Sequence, residues 1–238
     1  MERLKQWLSQ YDKPRILDVG CGVGNFIHLL LETGVKDATF VGIDVSKGAV
    51  AAARGHFADH PAIAFVEGDV LTAPLQSGSF DIVCLSNTLH HLEKPEAVFA
   101  RMKELLKPGG ALLINEMVSD HLTPAQLSHR KLHHFAAEID RLMGVYHAPT
   151  YTKKVYAAKL KRLTGITPQS IWELSFGEGP KPTASQIEQM MTTLDRLLSR
   201  LPESEEKSKL QAKGERIKAH MRKHSYDGAT QVAAVIVF

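Results

Sequence analysis

The sequence predicts an α/β fold built on a mainly parallel sheet, and three observations carry that prediction. Strand-like and helix-like stretches alternate at close spacing through the first half of the chain. A glycine-rich turn, Gly20-Cys21-Gly22-Val23-Gly24, joins the first apolar strand to an amphipathic helix. Acidic residues then recur where strands end, at Asp18, Asp44 and Asp69.

Each element has its own signal. Leu4, Trp7, Leu8 and Tyr11 form an i, i+3, i+4, i+7 stripe that suits one covering helix. Residues 15–19 read as the first strand, and Phe26, Leu29 and Leu30 mark the helix after the glycines. Strands follow at 39–43, 62–66, 80–85 and 111–116, with helices across 50–54 and 95–106. The run Lys107-Pro108-Gly109-Gly110 breaks the second of these helices. Beyond Glu116 the texture turns helical: 123–145 with an apolar face of Leu132, Phe135, Ile139, Leu142 and Met143, then 152–163. Residues 170–176 alternate like a strand, 186–201 are strongly amphipathic, a charged helix runs to about 224, and 231–238 read as a buried strand. The expected organisation is one domain over 1–238. Its sheet core lies at 1–116, 166–177 and 229–238, with helical insertions at 117–165 and 178–228.

Composition bounds the functional class. A chain of 238 residues with 44% hydrophobic and 23% charged side chains can bury a core, which excludes a disordered or low-complexity protein. The longest apolar run, 232–238, is far too short for a membrane helix, and the N-terminal residues lack the apolar core of a leader. Two cysteines give no disulfide framework, so a reducing cytoplasm is expected. A net charge of +3 makes no demand for nucleic acid. Histidine is the unusual residue, with 12 in all, seven of them between His90 and His147.

The glycine turn carries the chemistry. Glycines at 20, 22 and 24, with Asn25 where a dinucleotide pattern has its last glycine, bring backbone close to a ligand at a helix N-terminus. Asp18, two residues earlier, would repel a pyrophosphate but attract a ligand ammonium. Asp44 can accept both hydroxyls of a ribose. In Gly68-Asp69-Val70, Asp69 can accept from an adenine amino group and the Val70 N–H can donate to the ring. Asp81 is expected to position the fourth strand.

These segments together resemble the class I S-adenosylmethionine-dependent methyltransferases: ILDVGCGVGNF (16–26), FVGIDVS (40–46), VEGDVLTAPLQSGSFDIV (66–83), SNTLHHL (86–92) and LLKPGGALLINE (105–116). The resemblance implies a Rossmann-like seven-stranded sheet of order 3-2-1-4-5-7-6 with strand 7 antiparallel; the helical insertions are expected to form a cap over it. It implies S-adenosylmethionine as cofactor. Gly20, Cys21 and Gly22 would line its methionine part near Asp18, and Asp44 would hold the ribose. Val45 would flank the adenine, Asp69 and Val70 would read its edge, and Ser86 and Asn87 would sit beside the sulfonium. The chain departs from the family pattern in its long insertions.

The acceptor is expected to be a small molecule, with an RNA or protein methyltransferase as the alternative, and a catalytically silent cofactor-binding scaffold as an alternative of another class. No Asn-Pro-Pro-Tyr or Pro-Cys motif supports a nucleic-acid substrate. His90 and His91, after strand 4, are candidate bases, and Glu116 is another. On helix 123–145, Gln126, His129, His133 and Asp140 form a polar stripe, from which His129 and His133 are expected to serve a lid over the acceptor. Those two have zinc-ligand spacing, but with no third partner identifiable no metal is expected. The basic-aromatic run Tyr151, Lys153, Lys154, Tyr156, Lys159, Lys161 and Arg162 reads as a solvated helix face. The expected assembly is a monomer or homodimer without a membrane partner.

Overall fold

The computed structural model describes residues 1–174 and 181–238. Its first elements are α1 (Glu2–Leu8), β1 (Arg15–Val19), α2 (Asn25–Glu32), β2 (Thr39–Asp44), α3 (Lys47–His56), β3 (Ile63–Glu67) and β4 (Phe80–Ser86). A 3-10 turn at Leu89–His91 leads to α4 (Pro95–Leu105), β5 (Leu106–Met117), α5 (Pro124–Leu142) and α6 (Lys153–Thr164). The chain ends with β6 (Ser170–Leu174), α7 (Ala184–Leu198), α8 (Glu205–His224) and β7 (Gln231–Val237). Residues 175–177, expected to close the sixth strand and its core segment, and the first three of the second insertion lie outside the described residues.

Two compact units emerge: Met1–Glu116 with Tyr156–Ser175 and Gln231–Phe238, and Met117–Val155 with Phe176–Thr230. The expected insertion boundary at 165 moves back to 155. From Tyr156 onward α6 belongs with the sheet: Tyr156 and Leu160 are fully buried, and the Tyr156 hydroxyl donates to the Ile114 carbonyl of β5 at 2.8 Å.

The first unit is a seven-stranded sheet of order β3-β2-β1-β4-β5-β7-β6. Strands β1 to β5 pair in parallel, and β6 runs antiparallel to β7. β7 also opposes β5: Phe238 N–H donates to the Gly110 carbonyl at the start of β5, while Gln231 accepts from Asn115 near its end. The central strands are buried along nearly their whole length, as the continuous apolar runs of the sequence require. Lys107-Pro108-Gly109-Gly110, expected as a loop between helix and strand, lies within β5. Phe80 pairs with Leu106 and Ile82 with Ala111, so the extra residues bulge out of the ladder. Asp81 closes that bulge, accepting from Lys107 Nζ at 2.7 and 2.8 Å and from Arg15 N–H at 2.8 Å. This is the strand-positioning role expected of it.

The second unit has its own core, in which Phe135 and Ile139 of α5 pack with Met191, Leu194 and Leu198 of α7 and Leu210, Ile217 and Met221 of α8. The two insertions thus bury their apolar stripes together, a cover for α5 that its sequence alone does not disclose. Leu142 and Met143, expected on the buried face, are about half exposed because α5 ends there and the chain turns at Gly144 (φ +76°). Thr123 and Thr183 start α5 and α7 with reciprocal capping boxes to Gln126 and Gln186. Gln126 therefore caps its helix.

Gly42 shows how tightly the first unit is packed. A Cβ there would lie 2.6 Å from Phe65 Cδ1 and 2.8 Å from Cys21 Sγ, both in the buried core. Gly42→Ala is expected to destabilise the chain by about 1–3 kcal/mol through overpacking. Urea unfolding measures this, and an unchanged midpoint would show that the β2 interior has room.

Candidate active site

The site begins at a carboxylate inside the sheet. Asp18 of β1 is in register with Gly42 of β2 and Cys84 of β4 and is 1% exposed. Among the described residues neither of its oxygens has a hydrogen-bond partner. Burial, reinforced by the charge of Asp44, pushes its pKa up to about 7. A buried carboxylate without a donor is costly, and a ligand ammonium is the group that relieves it.

Beyond Asp18 the chain turns sharply. The Gly20 and Cys21 N–H groups both donate to the Ile43 carbonyl, at 2.8 and 3.1 Å. Gly20 has φ +70°, and any side chain there would strike Thr88, whose hydroxyl donates to the Gly20 and Ser86 carbonyls. A Cβ on Gly22 would meet nothing within 4 Å, so the turn presents an open backbone face. Gly24, left-handed at φ +91°, caps α2, and Asn25 is the exposed first residue of that helix. Burial, then Asp18 and Asp44, raises the Cys21 thiol pKa, so this side chain lines the turn as a neutral group.

Asp44, at the end of β2, locks the turn from the side. Its two oxygens accept from the Gly22 and Ser46 N–H groups, each at 2.8 Å, and each retains a lone pair for a hydroxyl. Val45 follows with 73% of its surface exposed, an apolar platform left open. After β3, Gly68 N–H donates to the Asp44 carbonyl. Exposed Asp69 accepts from Leu71 N–H at 2.9 Å, and Leu71 is itself 39% exposed. The Val70 side chain is buried, and Arg101 holds this segment by donating to the Val70 and Leu75 carbonyls.

At the ends of β4 and β5 a polar network replaces the apolar core. Asn115 Nδ2 donates to Ser86 Oγ at 2.9 Å and to Gln231 Oε1 at 2.5 Å, and Asn87 Nδ2 reaches the same Gln231 oxygen at 3.1 Å. Asn87 adopts φ +47°, a conformation that asparagine tolerates better than most side chains. In the 3-10 turn that follows, His90 is 1% exposed and its Nδ1 lies 2.8 Å from Oε1 of the fully buried Glu116. His91 is exposed, its ring centroid 4.3 Å from that of His90. Two separate candidates of the sequence, His90 and Glu116, thus form one pair.

The histidines of the second unit have contacts of their own. His129 Nδ1 accepts from Ala229 N–H at 2.9 Å, and its ring lies 5.5 Å from that of Tyr226. Burial lowers its pKa against the opposing pull of Asp227. His133 Nε2 is 3.2 Å from His147 Nε2, and His147 Nδ1 is 2.8 Å from Asp140. His134 Nε2 meets the Thr150 hydroxyl and N–H, and burial with nearby cations lowers its pKa to about 4. In the basic-aromatic run Tyr156 is fully buried and Arg162 pairs with Glu96.

Residues 17–114 match the family model described as a methyltransferase domain. The chain is 35% identical over 120 residues to an O-methyltransferase of Penicillium expansum, covering 49% of this chain and 43% of that protein. It is 31% identical over 113 residues to a malonyl-[acyl-carrier protein] O-methyltransferase of Halalkalibacterium halodurans, covering 46% of this chain and 41% of the relative. Residues 17–114 are a class I S-adenosylmethionine-dependent methyltransferase domain.

The chain thus spans less than half the length of the curated relatives it matches. A crystal structure from Bacillus halodurans, provisionally assigned as a methyltransferase, shares the fold with a TM-score of 0.61 at 17% identity, covering 99% of this chain and 97% of that one. The methyltransferase domain fits its cofactor on one decisive point, the donorless carboxylate of Asp18 beside an open glycine backbone. Several residues that build the site carry no sequence signal of their own. Thr88 is one branched side chain among many, Arg101 lies on an ordinary amphipathic helix, and Gln231 reaches Asn87 and Asn115 across more than a hundred residues.

Asp44→Ala is expected to weaken S-adenosylmethionine binding by about 1.5–3 kcal/mol, since charge-assisted hydrogen bonds are lost and Gly22 is released. Titration calorimetry reads this directly. Unchanged affinity would remove Asp44 from the cofactor site.

Proposed function

We propose that this protein transfers a methyl group from S-adenosylmethionine to a small-molecule acceptor that must lose a proton as it is methylated. The observation that carries this reading is the buried His90–Glu116 pair at the carboxyl ends of β4 and β5, the edge of a parallel sheet where ligands bind. Support for a small acceptor comes from the two relatives above, both named for O-methyl transfer.

When bound, the cofactor supplies an electrophilic methyl group on its sulfonium. Asp18 receives the amino group of its methionine part, and the backbone of Gly20, Cys21 and Gly22 lies alongside. Asp44 accepts the ribose hydroxyls. Val45 flanks the adenine, with Leu71 as a second apolar neighbour, and Asp69 with the Val70 N–H reads its edge. Gly68 lets the chain turn into that segment. Asn25 contributes through the first turn of α2, and Ser86 and Asn87 stand beside the reacting centre.

In-line displacement asks mainly for alignment, with a base where the acceptor carries a proton. Glu116 accepts from His90 Nδ1–H, which fixes the tautomer and leaves the lone pair on Nε2. His90 is then the base and Glu116 the residue that orients it, while exposed His91 contributes to acceptor binding. The second unit lies outside the matched segment and carries none of the cofactor residues, so acceptor selection is assigned to it, with His129 and His133 among its candidate determinants.

His90→Ala is expected to lower turnover by about 10²–10⁴-fold with cofactor affinity within a few-fold. Glu116→Gln should act in the same direction by spoiling the tautomer. Release of S-adenosylhomocysteine against a panel of small phenols, acids and amines measures both. Full turnover in the His90 variant would exclude it as the base. Turnover only on RNA or protein, or none on any acceptor, would refute the small-molecule reading.

A further inference from the structure

We propose that the second unit holds a divalent transition-metal site, for which zinc is the natural occupant, with His133 Nε2 and His147 Nε2 as its protein ligands. The two nitrogens face each other at 3.2 Å. Zinc holds imidazole nitrogens at about 2.0–2.1 Å, and tetrahedral angles then set two of them about 3.3 Å apart. The pair already has the spacing of one edge of a coordination tetrahedron.

The surroundings prepare the rings for that task. His147 is 3% exposed, and its Nδ1 lies 2.8 Å from Asp140 Oδ2. A carboxylate in that position takes the Nδ1–H and turns the Nε2 lone pair outward, the arrangement that backs metal-bound histidines generally. Asp140 is anchored in turn by Arg200, whose guanidinium lies 2.8 Å from Oδ1. The backbone is fixed as well, since Arg141 donates to the His147 carbonyl at 2.7 Å and Val145 N–H returns to the Asp140 carbonyl at 2.8 Å.

The neighbouring histidines are differently engaged. His129 presents Nδ1 to a backbone N–H, and His134 commits Nε2 to Thr150. The helical spacing of His129 and His133 is thus a misleading guide to the ligand pair. His133 instead meets a histidine 14 residues further on, brought round by the turn at Gly144. Two protein ligands leave further coordination positions for water or for an anionic or hydroxyl group of a bound small molecule.

The test uses the full chain, stripped of metal with a chelator and titrated with Co2+ or Zn2+ alone. One Co2+ per chain is expected, with d–d absorption of a nitrogen-ligated ion. Both His147→Ala and His133→Asn should weaken binding by at least about tenfold, and Asp140→Asn by about 10–100-fold. His129→Ala should leave affinity within about twofold. Circular dichroism and retained S-adenosylmethionine binding establish that each variant is folded. His133, only half-buried, serves as the decisive variant where the loss of buried His147 unfolds the chain. X-ray absorption of the zinc-loaded wild type should show at least two imidazoles. No stoichiometric binding, binding unmoved in the His133 variant, or an absorption spectrum without imidazole would overturn the site and leave a hydrogen-bonded histidine pair only.

Discussion

The first unit is organised around a negative charge that the protein itself does not satisfy. Asp18 lies among the central strands with no donor among the described residues, at a depth where water cannot compensate. A fold carries such a group only when the rest of its core is well packed, and here β1 itself and the neighbouring β4 are largely apolar and buried. The constraint extends outward from there. The turn after β1 is open at Gly22, Thr88 leaves no room for a side chain at Gly20, and Asp44 holds the loop in place. A ligand ammonium at Asp18 would complete the hydrogen bonding that the chain leaves unmade.

The parallel sheet explains why the other groups arrive at the same edge. β1, β2, β3, β4 and β5 run in one direction, so Asp18, Asp44, Asp69, Ser86 and Glu116 all fall at or just beyond carboxyl ends. The antiparallel strand β7 contributes from its opposite end, so Gln231, its first residue, meets Asn87 and Asn115 there. The carboxylates of β1 and β2 thus lie on one stretch of the edge, and the histidine–glutamate pair at the ends of β4 and β5 on another.

Much of this was legible in the sequence because parallel strands buried on both faces leave continuous apolar runs, and the residues at the ends of those runs share one edge of the sheet. That logic put Asp18, Asp44 and Asp69 at strand ends along one edge, where the structure has them, and placed every strand within a few residues. It failed where a contact depends on distant chain segments or on local irregularity. The bulge at 107–110 read as a helix stop because Pro-Gly-Gly breaks any regular element, whether helix or ladder. The apolar face of α5 gave no indication that α7 and α8, in a second excursion, would cover it. His147 lies in a loop without periodicity, so nothing in the pattern tied it to Asp140 and His133.

The central claim is that the Asp18 carboxyl, protonated in part when free, ionises against the amino group of S-adenosylmethionine. Its pKa in the free protein is raised from 3.8 to about 7, so below that pH the free site carries a proton that an ammonium partner would expel. Titration calorimetry in buffers of differing ionisation enthalpy counts that proton. The account predicts release of about half a proton at pH 7, approaching one near pH 5.5, with the release abolished in Asp18→Asn. Binding without proton release across that range, or release undiminished in the variant, would contradict it.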